Sequence, residues 1–383
     1  MCVIARNSSV TTLTLGLLLV AALHSGCRVR PPTDQHESAR LAGLVVLGQR
    51  TELALVDIAP AEKTALTNSR IISPLSFSLD PGTSRVVFSA PAGAGHELFM
   101  LSLQTGEETA LTSNGNSYLN PQWSPDGSLI AAEAIDDAGR HSVHILDADG
   151  GHVAILPESN WDARYPVWSS DGSKIAVVLL DALASSPGLA SAIGVVDYQS
   201  GVVNRYDTGL LDPHLASAAW SPQGRCLAYP VGRDHSVDLF LLDYASDKVH
   251  PAAATSADEW MPVWSPDGLH VAYLSSTGGP EGQTAVRVLD PSTGEDNLAF
   301  ETEGAITSIV WHGNDGIFAA AYDSLHDLTT IHELYLSDLD EVEVGEWPGM
   351  FLDLALVEPE GLPDLFSADC AGDYLSAHKR IPS

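Results

Sequence analysis

The sequence predicts an all-β fold: a β-propeller of seven four-stranded blades in which a C-terminal strand completes the first blade. Three observations lead to this prediction. A tight-turn motif repeats along the chain, a second polar position repeats out of phase with it, and an apolar segment is left over near the C-terminus. Self-similarity at a period of about 40–50 residues indicates a propeller or a solenoid. Six blades with an irregular N-terminal segment is the alternative count.

The first repeat is a Trp-Ser-Pro-Asp-Gly turn. Its copies begin at Trp123, Trp168, Trp220 and Trp264, and weaker copies begin at Phe77 and Trp311. The steps between these aromatic residues are 46, 45, 52, 44 and 47. Proline presets φ, aspartate bonds its own backbone and glycine accepts a positive φ, so each copy predicts a tight turn. A short apolar run follows each turn, and strand, turn and strand together predict a hairpin.

The second repeat is a polar residue that closes an apolar run. It occurs at Asp57, Ser102, Asp147, Asp197, Asp243, Asp290 and Asp338. Each is followed by a polar turn and another short strand, as in His152-Val-Ala-Ile-Leu156. Two hairpins per period give four strands, which make one propeller blade. The Trp before each tight turn offers a large face for packing one blade against the next.

The Trp-Ser-Pro-Asp-Gly turn with its following Ile/Leu-Ala strand resembles the TolB-type propeller repeat, a relative of the WD-type repeat. The resemblance covers residues 41–360. It implies the fold and leaves the function open, because unrelated activities share this scaffold.

Residues 41–68 supply only three strands before the first Trp-type turn, while the run at 350–357 is left without a blade. We therefore expect the C-terminal strand to complete the first blade. Joining the chain ends in one sheet closes the ring and leaves no open circular edge. Residues 361–383 are expected to form a tail on one face.

The N-terminal residues 1–26 are typical of a signal peptide. Their apolar run, 13–23, is too short to span a bilayer comfortably, and small residues precede Cys27. This ending resembles a bacterial lipobox with Cys27 as the lipidated residue, although His24 stands where that family usually has Leu. Plain secretion and an uncleaved anchor are the alternatives. We expect export, anchoring in the cell envelope (periplasm or outer surface), and a tether at 27–40.

The balance of charge narrows the possible partners. The chain carries 18 basic and 50 acidic residues, a formal charge of −32. Such a charge argues against nucleic acid or an anionic bilayer as a binding surface. We expect membrane contact only through the lipid anchor, and a monomer. The acidic residues are spread through the blades and favour a solvated surface, with a cationic partner as the alternative.

Cysteine and histidine usage predicts neither a metal nor another cofactor. Cys226 lies in an apolar run, where a buried thiol is the expected state. A disulfide between Cys226 and Cys370 is the alternative. Histidines recur at the start of the predicted third strand in four blades, at His96, His141, His235 and His332. Equivalent positions in different blades are spread around a ring, too far apart to share one ion. The sequence also contains no Gly-x-Ser-x-Gly motif of a serine hydrolase.

The candidate site lies on the face that carries the loops leading into the inner strands, because loops carry function while the scaffold carries stability. Its residues combine aromatic, arginine and carboxylate side chains, the kinds that dominate binding sites. They are Tyr118, Asn120, Trp161, Asp162, Arg164, Tyr165, His214, Asp258, Glu259 and Trp260. The structural alternative is that they cap the blade tops.

The predicted function is a non-catalytic module that binds a protein partner or a small ligand at this loop face. A carbohydrate- or small-ligand-binding propeller comes second. A metal-dependent polysaccharide lyase comes third, because certain seven-bladed relatives of the repeat are lyases that hold a metal through histidines.

Overall fold

The computed structural model describes residues 39–47, 50–58, 62–66, 76–156, 161–181, 191–209, 218–232, 236–253, 255–277, 283–337 and 340–357. These residues belong to one compact unit, Asp34–Ser383. Their regular secondary structure consists of strands. Among them, no helix is long and apolar enough to cross a membrane. Residues 1–38 and 358–383 fall outside this description, so the predicted signal peptide, Cys27 and the tail lie outside the described residues.

The strands form seven antiparallel sheets of four, as the repeats predict. Blade 1 contains β28 (Met350–Val357), β1 (Arg40–Leu47), β2 (Arg50–Asp57) and β3 (Glu62–Ala65). Blade 2 contains β4 (Phe77–Leu79), β5 (Arg85–Ala92), β6 (Gly95–Ser102) and β7 (Glu108–Ala110). Blade 3 contains β8 (Ser117–Trp123), β9 (Leu129–Ile135), β10 (His141–Asp147) and β11 (His152–Leu156). Blade 4 contains β12 (Trp161–Trp168), β13 (Lys174–Asp181), β14 (Ser191–Asp197) and β15 (Val203–Gly209).

The remaining three blades repeat the same order from the inner to the outer strand. Blade 5 contains β16 (Ala219–Trp220), β17 (Cys226–Gly232), β18 (Val237–Asp243) and β19 (Lys248–Ala253). Blade 6 contains β20 (Asp258–Trp264), β21 (Val271–Thr277), β22 (Gln283–Asp290) and β23 (Glu295–Thr302). Blade 7 contains β24 (Ala305–His312), β25 (Gly316–Asp323), β26 (Leu328–Tyr335) and β27 (Asp340–Pro348). The inner strands contact one another in cyclic order, which closes the ring.

The predicted closure of blade 1 is confirmed. Strand β28 pairs antiparallel with β1 from Arg40↔Val357 to Val46↔Met350. Its backbone also bonds to the neighbouring blade, where the N–H of Leu354 donates to the Ser308 hydroxyl at 3.0 Å. The first and last described strands therefore share one sheet, and the count is seven blades.

The repeated Trp residues hold adjacent blades together. The indole N–H of Trp264 donates to the carbonyl of Ala219 at 3.0 Å, and that of Trp311 donates to Val263 at 3.0 Å. In each case the acceptor is the residue just before the Trp position of the preceding blade. The Trp220 indole makes the same bond to Val167 at 3.2 Å. The Trp side chains themselves are almost fully buried, which confirms their structural role.

Blade 2 corrects one detail of the repeat. The prediction aligned Phe77 with Trp123, but Leu79 takes that position: Leu79 pairs with Val86 as Trp123 pairs with Ile130. The physical reason lies in the turn that follows. Asp80 takes the position that Ser124 has in blade 3. Its carboxylate accepts the backbone N–H groups of Ser84 at 2.8 Å and Arg85 at 2.9 Å.

Two further expectations are wrong. Cys226 is buried as expected, but it is disulfide-bonded and not a free thiol, and the other three cysteines lie outside the described residues. His332 lies in the middle of β26, so it does not share the position of His96 and His141 at the beginning of a third strand. His235 lies outside the described residues.

Candidate functional site

The candidate site lies at the end of the channel where the inner strands begin. Three inner strands carry the same irregularity there. Asn120, Tyr165 and Met261, each three residues before a Trp and directly before a proline, have φ values of 49°, 51° and 53°. The register of pairing shifts beside each of them. Proline has no N–H that could hydrogen-bond to the neighbouring strand, so the pairing is interrupted there. The resulting bulge changes the direction of the side chains beside it.

A buried carboxylate, Glu133, joins two of these bulges. It lies on β9, where its Oε2 accepts the Asn120 side-chain amide at 2.9 Å and the Tyr165 backbone N–H at 3.4 Å. Its Oε1 lies 2.5 Å from Nδ1 of His141. The bond to Tyr165 crosses from blade 3 to blade 4. Glu133 was missed in the sequence, although a single glutamate inside the apolar run Leu129–Ile135 is a signal that could have identified it.

Asp162 and Asp258 have equivalent positions and equivalent bonds. Asp162 Oδ1 accepts the backbone N–H of His141 at 3.2 Å, and Asp258 Oδ1 accepts that of Val237 at 2.9 Å. Each carboxylate therefore caps the beginning of the third strand of the preceding blade. These bonds use the carboxylates to connect blades, as the structural alternative expects.

Trp161 lies at the boundary between blades 3 and 4, and Arg164 lies on the same strand, β12. The Arg205 guanidinium lies 4.4 Å from the centre of a Trp161 ring, and Trp161 packs against the apolar cluster between these blades. Arg164 Nη2 is 3.7 Å from Asp162 Oδ2. Its Nε is buried and, within the described part of the chain, has no hydrogen-bond partner. The Arg164 side chain is three-quarters buried, and its guanidinium can only donate hydrogen bonds.

Glu259 is the centre of a second group, in blade 6. Its side chain is fully buried; Oε1 accepts the Thr255 backbone N–H at 3.2 Å, while Oε2 has no hydrogen-bond partner among the described residues. Burial raises the pKa of Glu259 to about 7, and the negative charge of Asp238 acts in the same direction. Trp260 and Met261 pack against the apolar cluster between blades 6 and 7.

Two further polar groups lie on inner strands, Tyr118 on β8 and Asp353 on β28. Tyr118 is fully buried, and its hydroxyl lies 2.7 Å from the Asn114 side-chain amide and 3.2 Å from His144 Nδ1. Asp353, on the inner strand β28, was missed in the sequence. Burial raises its pKa to about 7, and the hydrogen bond from the Ser308 hydroxyl opposes this rise.

The structure thus joins the candidates of blades 3 and 4 through Glu133 and His141 and keeps those of blade 6 as a separate group. His214 lies outside the described residues. In the described ranges, no group of three His, Cys, Asp or Glu side chains is placed to bind a metal ion.

Comparison with known proteins agrees with the architecture. A scan against protein-family models finds no match. A search of curated protein sequences also finds none. Among solved structures, TolB from Acinetobacter baumannii matches with a TM-score of 0.54 and 14% identity, over 84% of this chain and 67% of that one. An oligogalacturonate lyase in complex with manganese matches with a TM-score of 0.59 and 16% identity, over 79% and 83%. A puromycin hydrolase matches with a TM-score of 0.60 and 16% identity, over 81% and 54%.

At these identities the similarity establishes the fold alone, a TolB-like propeller. Two of the three neighbours are named for different activities, a lyase and a hydrolase, so the site of this chain has to be judged from its own residues.

Proposed function

We propose that this chain is a non-catalytic binding module of the cell envelope that recognises a protein partner at the loop end of its channel. The proposal depends on the left-handed backbone shared by Asn120, Tyr165 and Met261. A non-glycine residue in this conformation costs on the order of 1–3 kcal/mol, and such strain clusters at sites of function. Its repetition in three blades supports a binding site at this end of the channel.

The side chains of blades 3 and 4 suit recognition. Arg164 and Tyr165 are adjacent, and both belong to the residue types that dominate binding energies. Glu133 holds the backbone of Tyr165 and the side chain of Asn120 in place before any partner arrives. Because these groups are ordered in advance, little conformational entropy remains to be lost on binding.

A carbohydrate or another small polar ligand is the second candidate. It is favoured by the partly exposed guanidinium of Arg164 beside the Asp162 carboxylate, a donor and an acceptor suited to hydroxyl groups. A metal-dependent polysaccharide lyase is the third, and its support is limited to the fold that this chain shares with oligogalacturonate lyase.

Export and lipid anchoring complete the proposal. The apolar run at 13–23 and the small residues before Cys27 support both. Replacing Cys27 by Ser is expected to move the protein from the membrane fraction to the soluble fraction of fractionated cells. An unchanged distribution would contradict lipid anchoring and leave the binding proposal untouched.

Site-specific photo-crosslinking tests the binding face. A photoreactive phenylalanine derivative replaces Tyr165 in cells that express the full chain, and it replaces Leu269 in the control. Leu269 is exposed and lies in the turn between β20 and β21, at the opposite end of the channel. We expect a discrete protein adduct from position 165 that Arg164→Ala weakens, and none from position 269. Equal adducts from both positions, or none from position 165, would contradict the proposal, and glycan binding lost in Arg164→Ala would favour the second candidate.

A further inference from the structure

The outer strands of the seven blades differ in how they protect their free edges. Among the described residues, each outer strand pairs on one side only, so its other edge presents backbone N–H and C=O groups that no described strand pairs with. Natural proteins place charged residues or proline on such edges to prevent pairing with another chain. Six of the outer strands follow this rule. They are β3 with Lys63, β7 with Glu108, β15 with Arg205, β19 with Lys248 and Pro251, β23 with Glu295, and β27 with Glu341.

Strand β11 is the exception. Its residues, His152-Val-Ala-Ile-Leu156, include no Asp, Glu, Lys or Arg and no proline, and His152 is the one titratable side chain among them. Val153 and Ile155 are 48% and 45% exposed. They alternate with Ala154 and Leu156, which pack against the cluster between blades 3 and 4. Within the part of the chain that the structure describes, the strand therefore has one face in the core, one apolar face in solvent and an edge that pairs with no other strand.

We propose that the β11 edge is a docking site for an extended segment of a partner protein, which adds a fifth strand to blade 3. The site goes beyond the loop-end surface proposed above. Backbone hydrogen bonds along β11 would supply affinity, and contacts with Val153 and Ile155 would supply specificity, as in other complexes formed by strand addition. The five residues of β11 span about 17 Å at about 3.3 Å per residue, enough for a short linear segment.

Charge argues for a basic partner and against a second copy of this chain. Asp149 precedes β11 and Glu107 precedes β7 of the neighbouring blade, and both side chains are exposed. Two copies at −32 each would repel one another on approach, whereas a segment with lysines beside an apolar core would be attracted. The occupant is therefore an extended segment with alternating aliphatic residues and basic flanks.

A synthetic peptide tests this surface directly. The probe is a fluorescent peptide with a core of alternating isoleucine and threonine and two lysines at each end, titrated with the full chain by fluorescence anisotropy. A second version carries N-methyl groups on alternate core residues, in each of the two phases. We expect binding in the micromolar range, weakened about tenfold or more by methylation in one phase, because methylation removes the N–H groups that pair with the edge.

Ile155→Lys is the test variant and Val249→Lys is its matched control. Val249 is 42% exposed on β19, another outer strand, so both changes place a lysine on an outer strand. Because both side chains are exposed, both variants are expected to fold, which circular dichroism checks. We expect Ile155→Lys to weaken binding about tenfold and Val249→Lys to leave it within about twofold.

Three outcomes would overturn the proposal. They are equal affinity of the two variants, equal affinity of the methylated peptides in both phases, and no binding at about 1 mM protein. Sedimentation tests the alternative occupant, a second copy of this chain. If the unmodified chain is a dimer and Ile155→Lys is a monomer, the edge binds a second copy and the proposed partner segment is wrong.

Discussion

At the scale of single residues, Glu133 accounts for much of the order at the loop end of the channel. It is almost fully buried, and it bonds to the side chain of Asn120, the backbone of Tyr165 and the ring of His141. A buried carboxylate costs desolvation unless such partners satisfy it. The hydrogen bonds to Glu133 therefore offset the cost of burying its charge. Removing the carboxylate would leave its partners unsatisfied, and the resulting loss of stability can be measured.

Replacing Glu133 by Ala is expected to lower the free energy of unfolding by about 1–3 kcal/mol, because the buried donors around it would be left without an acceptor. Urea denaturation followed by tryptophan fluorescence measures the change. Glu107→Ala, at an exposed position, is the control and should have little effect. Equal stability of the Glu133 variant and the original chain would contradict the role assigned to this network.

Glu259 predicts a dependence of stability on pH. Its pKa is raised to about 7 in the folded chain from an ordinary value of 4.5. Between these values the unfolded chain releases the proton while the folded chain keeps it, so the native state loses stability as pH rises. Asp353, whose pKa is also raised to about 7, acts in the same direction.

Glu259→Gln is therefore expected to be more stable than the original chain at pH 8, by on the order of 2 kcal/mol. The difference should grow from about pH 5 to pH 7 and then level off. Denaturation at a series of pH values measures it, with Asp137→Asn, at an exposed position, as the control. A difference that is the same at pH 4 and pH 8 would show that Glu259 does not hold a proton in the folded chain.

At the scale of elements, the inner strands are held to one another by the Trp side chains. The Trp264 indole N–H donates to Ala219, whereas that of Trp168 is buried without a hydrogen-bond partner among the described residues. The same substitution in two blades therefore separates packing from hydrogen bonding.

Trp264→Phe is expected to cost about 0.5–1.5 kcal/mol more than Trp168→Phe, because both lose packing while only the first loses a bond. Trp168→Phe also removes a buried N–H that has no hydrogen-bond partner among the described residues, which offsets part of its lost packing. Thermal denaturation of both variants measures the difference. A larger loss in Trp168→Phe would contradict the bonding role of this position.

At the scale of the whole molecule, the ring depends on β28. This strand supplies the inner position of blade 1, and its neighbours are β1 in its own sheet and β24 in blade 7. Without it, blade 1 would expose the apolar edge of β1, and the ring would be open.

Deleting residues 350–383 is expected to abolish cooperative unfolding or to cause aggregation, because blade 1 loses its inner strand. Deleting only residues 358–383 keeps β28 and should retain a cooperative transition. Calorimetry and light scattering measure both. If the longer deletion unfolds with a transition close to that of the full chain, closure through β28 does not stabilise the ring.

The sequence by itself determined the blade count, the order of strands and the closing role of the C-terminal strand. These follow from short patterns: the tight turn after each Trp, the polar residue that ends the third strand in blades 1 to 6, and the apolar run at 350–357. In blade 7 the third strand ends at Tyr335, and Asp338 lies outside the described residues. A turn motif acts within a few residues, so it can be identified without knowledge of the rest of the chain. The place before the Trp positions also predicts Asn120, Asp162, Arg164 and Tyr165 as candidates, and their role in binding stays a prediction.

Only the tertiary structure decided the register of blade 2, the bulges at the loop end and the central place of Glu133. The bond from Tyr165 to Glu133 joins residues 32 apart in the chain, and the Trp264 bond joins residues 45 apart. Such contacts arise when neighbouring blades pack, and packing selects which polar group finds a partner and which stays buried without one. The local sequence specifies each blade, whereas the contacts between blades specify the site.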